Sequence, residues 1–324
     1  MYLPTFSDVL EARTVIAPYL RPTPLHQYKA LSEAVGAEVW VKHENHLPTC
    51  AFKVRGGVNY MAHLSPDERA RGVITASTGN HGQSVAFAAR LFGTRAVIAM
   101  PHGSNPLKVE SIRNFGAEVH FVGKDYDESR KWVDETAEKE GMHFLSAGDE
   151  PLLISGVGTY SLEIFEALPK VDAIIAPIGG GSGVSGACVV AKTLNPNVQV
   201  FAVQSEAAPA AYLSWKEKRR VDSKMETFAE GLATRTAFDL PQAILRRHLD
   251  DFILVSEDEL KSATLLALEK TRNLVEPAGA ASLAAALKIR DRLAGKKVAL
   301  VMSGGNITPP QLQELLNERL QPPA

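Results

Sequence analysis

From residue 38 onward the chain alternates two kinds of stretch. Short runs rich in Val, Ile, Ala and Phe recur at 38–43, 73–76, 96–100, 118–122, 173–176, 198–203 and 297–302, and each predicts a strand. Amphipathic stretches of helical period separate them, at 54–64, 83–92, 107–115, 128–139, 152–167 and 184–194. A run such as Val-Asp-Ala-Ile-Ile-Ala-Pro-Ile at 171–178 is apolar on successive residues from Ala173, as a strand covered on both faces is. Strand and helix in strict alternation, with short Gly or Pro punctuation, predict an α/β fold with mostly parallel sheets. The stretch 72–147 reads as a compact set of three strands with their helices, set inside a longer chain that carries a second, larger set. Residues 214–240 have no clean period and predict a long, irregular, functional loop. The C-terminal Gln-Pro-Pro-Ala is expected to fray.

Composition narrows the function classes. Lys and Arg total 35 against 37 for Asp and Glu, which gives no electrostatic handle on nucleic acid or acidic lipid. The densest basic run, 216–220, reads as a solvated helix face. Cys50 and Cys188 are too few for a disulfide framework and lack metal-site spacing. No leader-like opening and no apolar run of membrane-spanning length stand in the sequence, so the expectation is a soluble, cytoplasmic protein.

In open α/β sheets ligands gather at the carboxyl ends of strands. Three such places carry candidate chemistry. Pro177-Ile178-Gly179-Gly180-Gly181-Ser182-Gly183 follows a buried strand and opens a helix, so bare backbone and free N–H groups predict a phosphate cradle; the bland alternative is a tight turn. Gly181, Gly183 and Gly186 also match G-x-G-x-x-G with Glu206 downstream, which keeps a nicotinamide-dependent oxidoreductase as a reading from another class. Phe52-Lys53 places an amine where a loop enters a helix, where the dipole lowers its pKa and favours a neutral nucleophile. Ser77-Thr78-Gly79-Asn80-His81 follows another strand and suits a carboxylate, or is simply a capped helix start with Ser77 or Thr78 as N-cap. His81 alone does not mark a general base, and His43 with His46 lacks a third metal ligand.

Taken together, AFKVRGG, STGNHGQS, PIGGGSG, AEG at Ala229, VEPAGA at Val275 and SGGN at Ser303 resemble, in order and spacing, the fold type II pyridoxal-phosphate enzymes of the serine/threonine dehydratase and serine racemase family. The resemblance runs from Arg21 to Asn306 and implies a tryptophan synthase β-like fold of two open, twisted, mostly parallel sheets flanked by helices. It implies a large cofactor-binding domain, 1–71 with 148–324, and a small substrate-clamping domain, 72–147. Lys53 matches the Schiff-base lysine that then serves as base. Phe52 and Gly231 match the residues flanking the pyridine ring, Asn80 the partner of its 3-hydroxyl, and Ser303 the partner of its nitrogen. Gly179, Gly180, Gly181, Ser182 and Gly183 match the phosphate loop. Ser77, Thr78, Gly79, Asn80 and His81 match the substrate-carboxylate loop. Ser303 is uncharged, so less negative charge flows into the ring and loss of a β-leaving group is the favoured exit.

The implied activity is β-elimination from a β-hydroxy amino acid, L-threonine or L-serine first, giving a 2-oxo acid and ammonia. A racemase on the same scaffold, with Thr78 as the second acid/base, and a dehydratase of a bulkier substrate such as 3-hydroxyaspartate or phenylserine are the alternatives. The resemblance also implies a homodimer, with no nucleic-acid or membrane partner. Several positions depart from the family. Cys50 and Ala51 stand where Gly and Ser are common, and Cys50 reads as a packing choice. Ser182 and Gly183 differ within the phosphate loop. Gln204 and Ala210 stand where metal-binding acids occur, so no metal is expected. The chain length leaves no room for a C-terminal regulatory domain, which favours a catabolic or specialised enzyme.

Overall fold

The computed structural model describes residues 1–320; Gln-Pro-Pro-Ala, expected to fray, lies outside the described residues. Ten strands are present among them: β1 Leu25–Gln27, β2 Glu38–His43, β3 Val73–Ala76, β4 Ala96–Met100, β5 Glu118–Phe121, β6 His143–Phe144, β7 Ala173–Pro177, β8 Gln199–Ser205, β9 Asp251–Val255 and β10 Lys297–Met302. They form a six-stranded sheet of order β1-β2-β10-β7-β8-β9 and a four-stranded sheet of order β5-β4-β3-β6. All pairings are parallel except that of β1 with β2. The stretch 72–147 therefore holds four strands, not three; β6 is two residues long and has no period to read.

Side-chain alternation explains the burial. Ala173 and Ile175 enter one core with Val39, Val41, Phe201 and Leu300, while Ile174 and Ala176 enter the opposite core with Val200, Ala202 and Val301. Both faces of the large sheet are thus dry at its centre, which is why β7 reads as an unbroken apolar run. The small sheet divides in the same way, Val73, Ile98 and Met100 on one side and Ile74, Val97 and Ala99 on the other. Val54, Val58 and Met61 of the Lys53–His63 helix join the first of these clusters.

One helix sets the spacing of the centre. Pro151–Ala167 passes between the Lys53–His63 and Ser182–Leu194 helices with glycine at each contact. A Cβ on Gly156 would lie 2.7 Å from the Arg55 carbonyl oxygen, and one on Gly186 would lie 2.7 Å from Gly158 Cα. Behind the Lys53 helix, Arg55 is buried among Glu44, Glu163 and Thr23, with Lys42 also on Glu163. Burial alone would pull the guanidinium pKa down; the Glu44 and Glu163 carboxylates outweigh it and hold it above its ordinary value.

The irregular stretch is shorter than 214–240. The Ala210–Lys216 and Asp239–His248 helices take its two ends, and a single 3-10 turn, Glu230–Leu232, interrupts the rest. The basic run 216–220 is exposed, but only Lys216 is helical, so it is a turn and not a helix face. Among the described residues no helix is long and apolar enough to cross a membrane.

Candidate active site

The carboxyl ends of β3, β7 and β10 meet around a cavity of about 480 Å³ between the two sheets. Phe52, Lys53, Ser77, Thr78, Gly79, Asn80, His81, Gly179, Gly180, Gly181, Gly183, Gly231 and Ser303 all line it. Ser182, the remaining residue expected there, is fully buried and reaches the group through its hydroxyl.

Lys53 is the first residue of its helix, and its side chain crosses the cavity to the glycine loop. Nζ donates to Ser182 Oγ at 3.0 Å and to the Ala147 carbonyl oxygen at 3.1 Å. Neither neighbour is anionic, so nothing repays the desolvation of the ammonium, and burial pushes its pKa down to about 8. The predicted direction holds, and burial is its cause.

The glycine loop turns through Gly181 at φ +93°, a conformation that side-chain-bearing residues rarely adopt, and the Ser182–Leu194 helix starts immediately after it. Its first N–H groups have no partner within the helix. A Cβ on Gly180 would lie 3.6 Å from Lys53 Nζ, so any side chain there would enter the space between amine and loop. Bare backbone, free donors and an adjacent amine fit a phosphate and a carbonyl on one ligand, as pyridoxal phosphate carries.

The Ser77–His81 turn is built differently from the simple cap. Gly79 occupies the N-cap position without a side-chain bond, and Ser77 Oγ accepts from the N–H groups of Gly79 and Gly82 at 3.0 and 2.9 Å. Thr78 is exposed to the cavity. His81 is buried, with Nε2 3.4 Å from the Leu145 carbonyl oxygen and Nδ1 unpaired. Burial, with Lys53 nearby, pushes its pKa down to about 3, so the ring is neutral and no proton carrier near pH 7.

Other expectations are corrected. Cys50 is exposed at φ +50°, so packing does not account for it; the left-handed backbone explains why glycine suits the position. Gln204 donates to Thr234 Oγ1 at 3.2 Å and accepts from the Tyr212 N–H at 3.1 Å, tying the irregular segment to β8. Among the described residues no three His, Cys, Asp or Glu side chains converge on a metal position. His43 and His46 stack at 4.7 Å, His43 meeting Tyr28 Oη at 3.0 Å. The dinucleotide reading fails on geometry. Glu206 is half-exposed, pairs with Lys288 at 3.2 Å and does not line the cavity, while Gly186 serves helix packing.

The cavity also holds charges that the motifs left without roles. Lys108 is buried, 2.6 Å from Glu230 and 3.5 Å from Glu276. Arg235 reaches Asp127 at 3.0 Å and Asp125 at 3.6 Å. Glu230 and Glu276 sat inside AEG and VEPAGA and were open to reading. Lys108 lies in no motif, and folding alone brings it to the site.

Residues 16–304 match the family described as pyridoxal-phosphate dependent enzyme. The chain is 40% identical to an L-threonine ammonia-lyase of Thermotoga maritima, over 98% of this chain and 79% of that protein. It is 35% identical to a serine racemase of Dictyostelium discoideum, over 97% of this chain and 98% of that one. A solved structure of maize serine racemase superposes with a TM-score of 0.92 at 30% identity, covering 98% of both chains.

Proposed function

This chain belongs to the pyridoxal-phosphate-dependent enzymes, and from that premise we propose that it is an ammonia-lyase that removes water and then ammonia from a β-hydroxy amino acid, L-threonine first. The observation that carries the reading is Lys53 Nζ, 3.0 Å from Ser182 Oγ at the glycine loop, in one cavity with the Ser77–His81 turn. When bound, pyridoxal phosphate draws electrons from the substrate and makes its Cα proton acidic.

The chain's own residues do the rest. The N–H groups from Gly179 to Gly183 and the Ser182 hydroxyl would hold the phosphate. Phe52 and Gly231 would flank the ring, Asn80 would donate to its oxygen, and Ser303 would offer its nitrogen an uncharged hydroxyl. The Ser77–His81 turn holds the substrate carboxylate. Lys53 Nζ, its charge disfavoured by burial, takes the proton from Cα on one face. Residues 72–147 form the small domain that clamps substrate against the larger one, 1–71 with 148–324. The working form is a cytoplasmic homodimer, testable by light scattering of the purified protein.

The experiment is a panel of β-hydroxy amino acids, both enantiomers, assayed for 2-oxo acids with pyridoxal phosphate added and metals chelated. L-Threonine is expected to give 2-oxobutyrate fastest. No product from any member, with or without restored metal, overturns the elimination reading. A second reading, racemisation, is favoured by Thr78, whose exposure to the cavity leaves a hydroxyl available on the second face. Thr78→Ala is expected to remove enantiomer interconversion while sparing elimination; equal loss of both argues against a separate second-face role.

A further inference from the structure

A carboxylate is buried in the same cavity, and the reaction as derived gives it no role. Glu276 stands at the start of the Pro277–Lys288 helix and is 4% exposed. Its Oε1 accepts from Asn80 Nδ2 at 2.6 Å. At the other end of the same amide, Asn80 Oδ1 accepts from Asn306 Nδ2 at 2.9 Å, and Asn306 Nδ2 also donates to the Thr49 carbonyl oxygen at 3.0 Å.

An asparagine amide has one acceptor oxygen and two N–H donors. Here the oxygen faces a donor and one N–H faces a carboxylate. Turning the amide over would set nitrogen against the Asn306 nitrogen and oxygen against the Glu276 oxygen, two repulsions in place of two bonds. The second N–H is then the polar group that Asn80 has left to offer the cavity it lines.

We propose that Glu276 is a positioning residue, which with Asn306 fixes the amide of Asn80 as an N–H donor toward the oxygen on the cofactor ring. The proposal rests on the cofactor reading above. Lys108 makes a buried carboxylate tenable at this point. It comes from the Pro106–Asn114 helix on the small sheet and lies 3.5 Å from Glu276 Oε2. Burial alone would pull its amine down, but the Glu276 and Glu230 carboxylates outweigh that and keep it charged. The orientation of Asn80 is therefore supported from both sheets. A fixed N–H donor favours the anionic form of the ring oxygen and so acts on the colour of the bound cofactor and on the pH at which that colour changes.

The test titrates pyridoxal phosphate into the parent chain and the Glu276→Leu, Glu276→Gln and Asn306→Ala variants, recording the visible band, its pH dependence and the thermal unfolding transition. Glu276→Leu removes the acceptor at similar volume and is expected to weaken cofactor binding about tenfold, the scale of one charge-assisted hydrogen bond, and to shift the band's pH titration upward. Glu276→Gln keeps an acceptor oxygen and is expected to restore the parent titration. Asn306→Ala releases the other end of the amide and shifts the titration in the same direction. A folded Glu276→Leu chain with parent affinity and parent titration overturns the proposal. Should that chain not fold, an Asn306→Ala titration identical to the parent's overturns it equally. A parent chain with no visible band overturns the cofactor reading itself, and the proposal with it.

Discussion

Behind Lys53 and across the cavity the chain sets two groups of opposed charges, and they are built to opposite specifications. Arg55, Glu44, Glu163 and Lys42 lie deep against the Lys53 helix, with Arg55 1% and Glu44 0% exposed. Each charge there is met by at least one opposite charge, so the group is closed on itself. Arg235 with Asp127 joins the irregular segment to the small sheet's helix, and both side chains are about half in water, 46% and 55% exposed. A buried pair loses its partner only by leaving a charge stranded in low dielectric, whereas an exposed pair hands each charge back to water. The first group is therefore a fixed floor under the helix that carries the amine. The second is a contact that separates and re-forms at little cost, as a site that must admit substrate requires.

Removing the amine while leaving the floor intact has the largest effect. Lys53→Ala is expected to abolish the visible band of the bound cofactor and lower elimination by about 10²–10⁴-fold or more, read by absorbance and by 2-oxo acid formation. An unchanged band would show that the floor supports some other group. Next, Arg55→Leu strands Glu44, while Glu163 keeps Lys42, and is expected to cost about 3–5 kcal/mol in urea unfolding, with little relief from salt.

Acid tests two neutral rings of the interior. His43 is held down to about 4 by burial and then by His46, and His81 to about 3 by burial and then by Lys53. Between about pH 6.5 and those values the unfolded chain binds protons that the folded chain refuses, so stability is complete above 6.5 and falls as pH falls. The urea midpoint of the cofactor-free chain is expected to drop over that range, and His43→Gln to flatten the slope. A midpoint independent of pH from 6.5 to 4 would contradict the burial of both rings. Smallest of all, Arg235→Ala is expected to cost about 0–1 kcal/mol, with the difference vanishing at high salt. A loss as large as that of Arg55→Leu would erase the distinction between floor and bridge.

Much of this was legible before folding because the relevant signals are local. The strands at 38–43, 73–76, 96–100 and 297–302 agree with β2, β3, β4 and β10 to the residue, and two-sided burial writes β4 as an unbroken apolar run. The Gly179–Gly183 loop and Lys53 were readable because bare backbone after a strand and a lysine at a helix start are features of neighbouring residues. β6, two residues long, carries no period. Lys108 sits on an ordinary helix and acquires its place by crossing to Glu230 and Glu276, residues 122 and 168 positions away. Cys50 was misread for the same reason: its backbone angle belongs to the loop as folded, not to the thiol.

The glycine contacts of the Pro151–Ala167 helix have a consequence for how this site tolerates change. The amine and the loop that faces it ride on two different helices, and carbon that is missing at Gly156, Gly158 and Gly186 determines how near those helices come. A ligand held at one end by the lysine and at the other by the loop has a fixed length, so these positions act as a gauge cut to that length. Trimming a polar group in the cavity weakens one contact. Adding one methyl along the gauge displaces both ends of the ligand's seat at once, and residues that never meet the substrate are then the ones least free to vary.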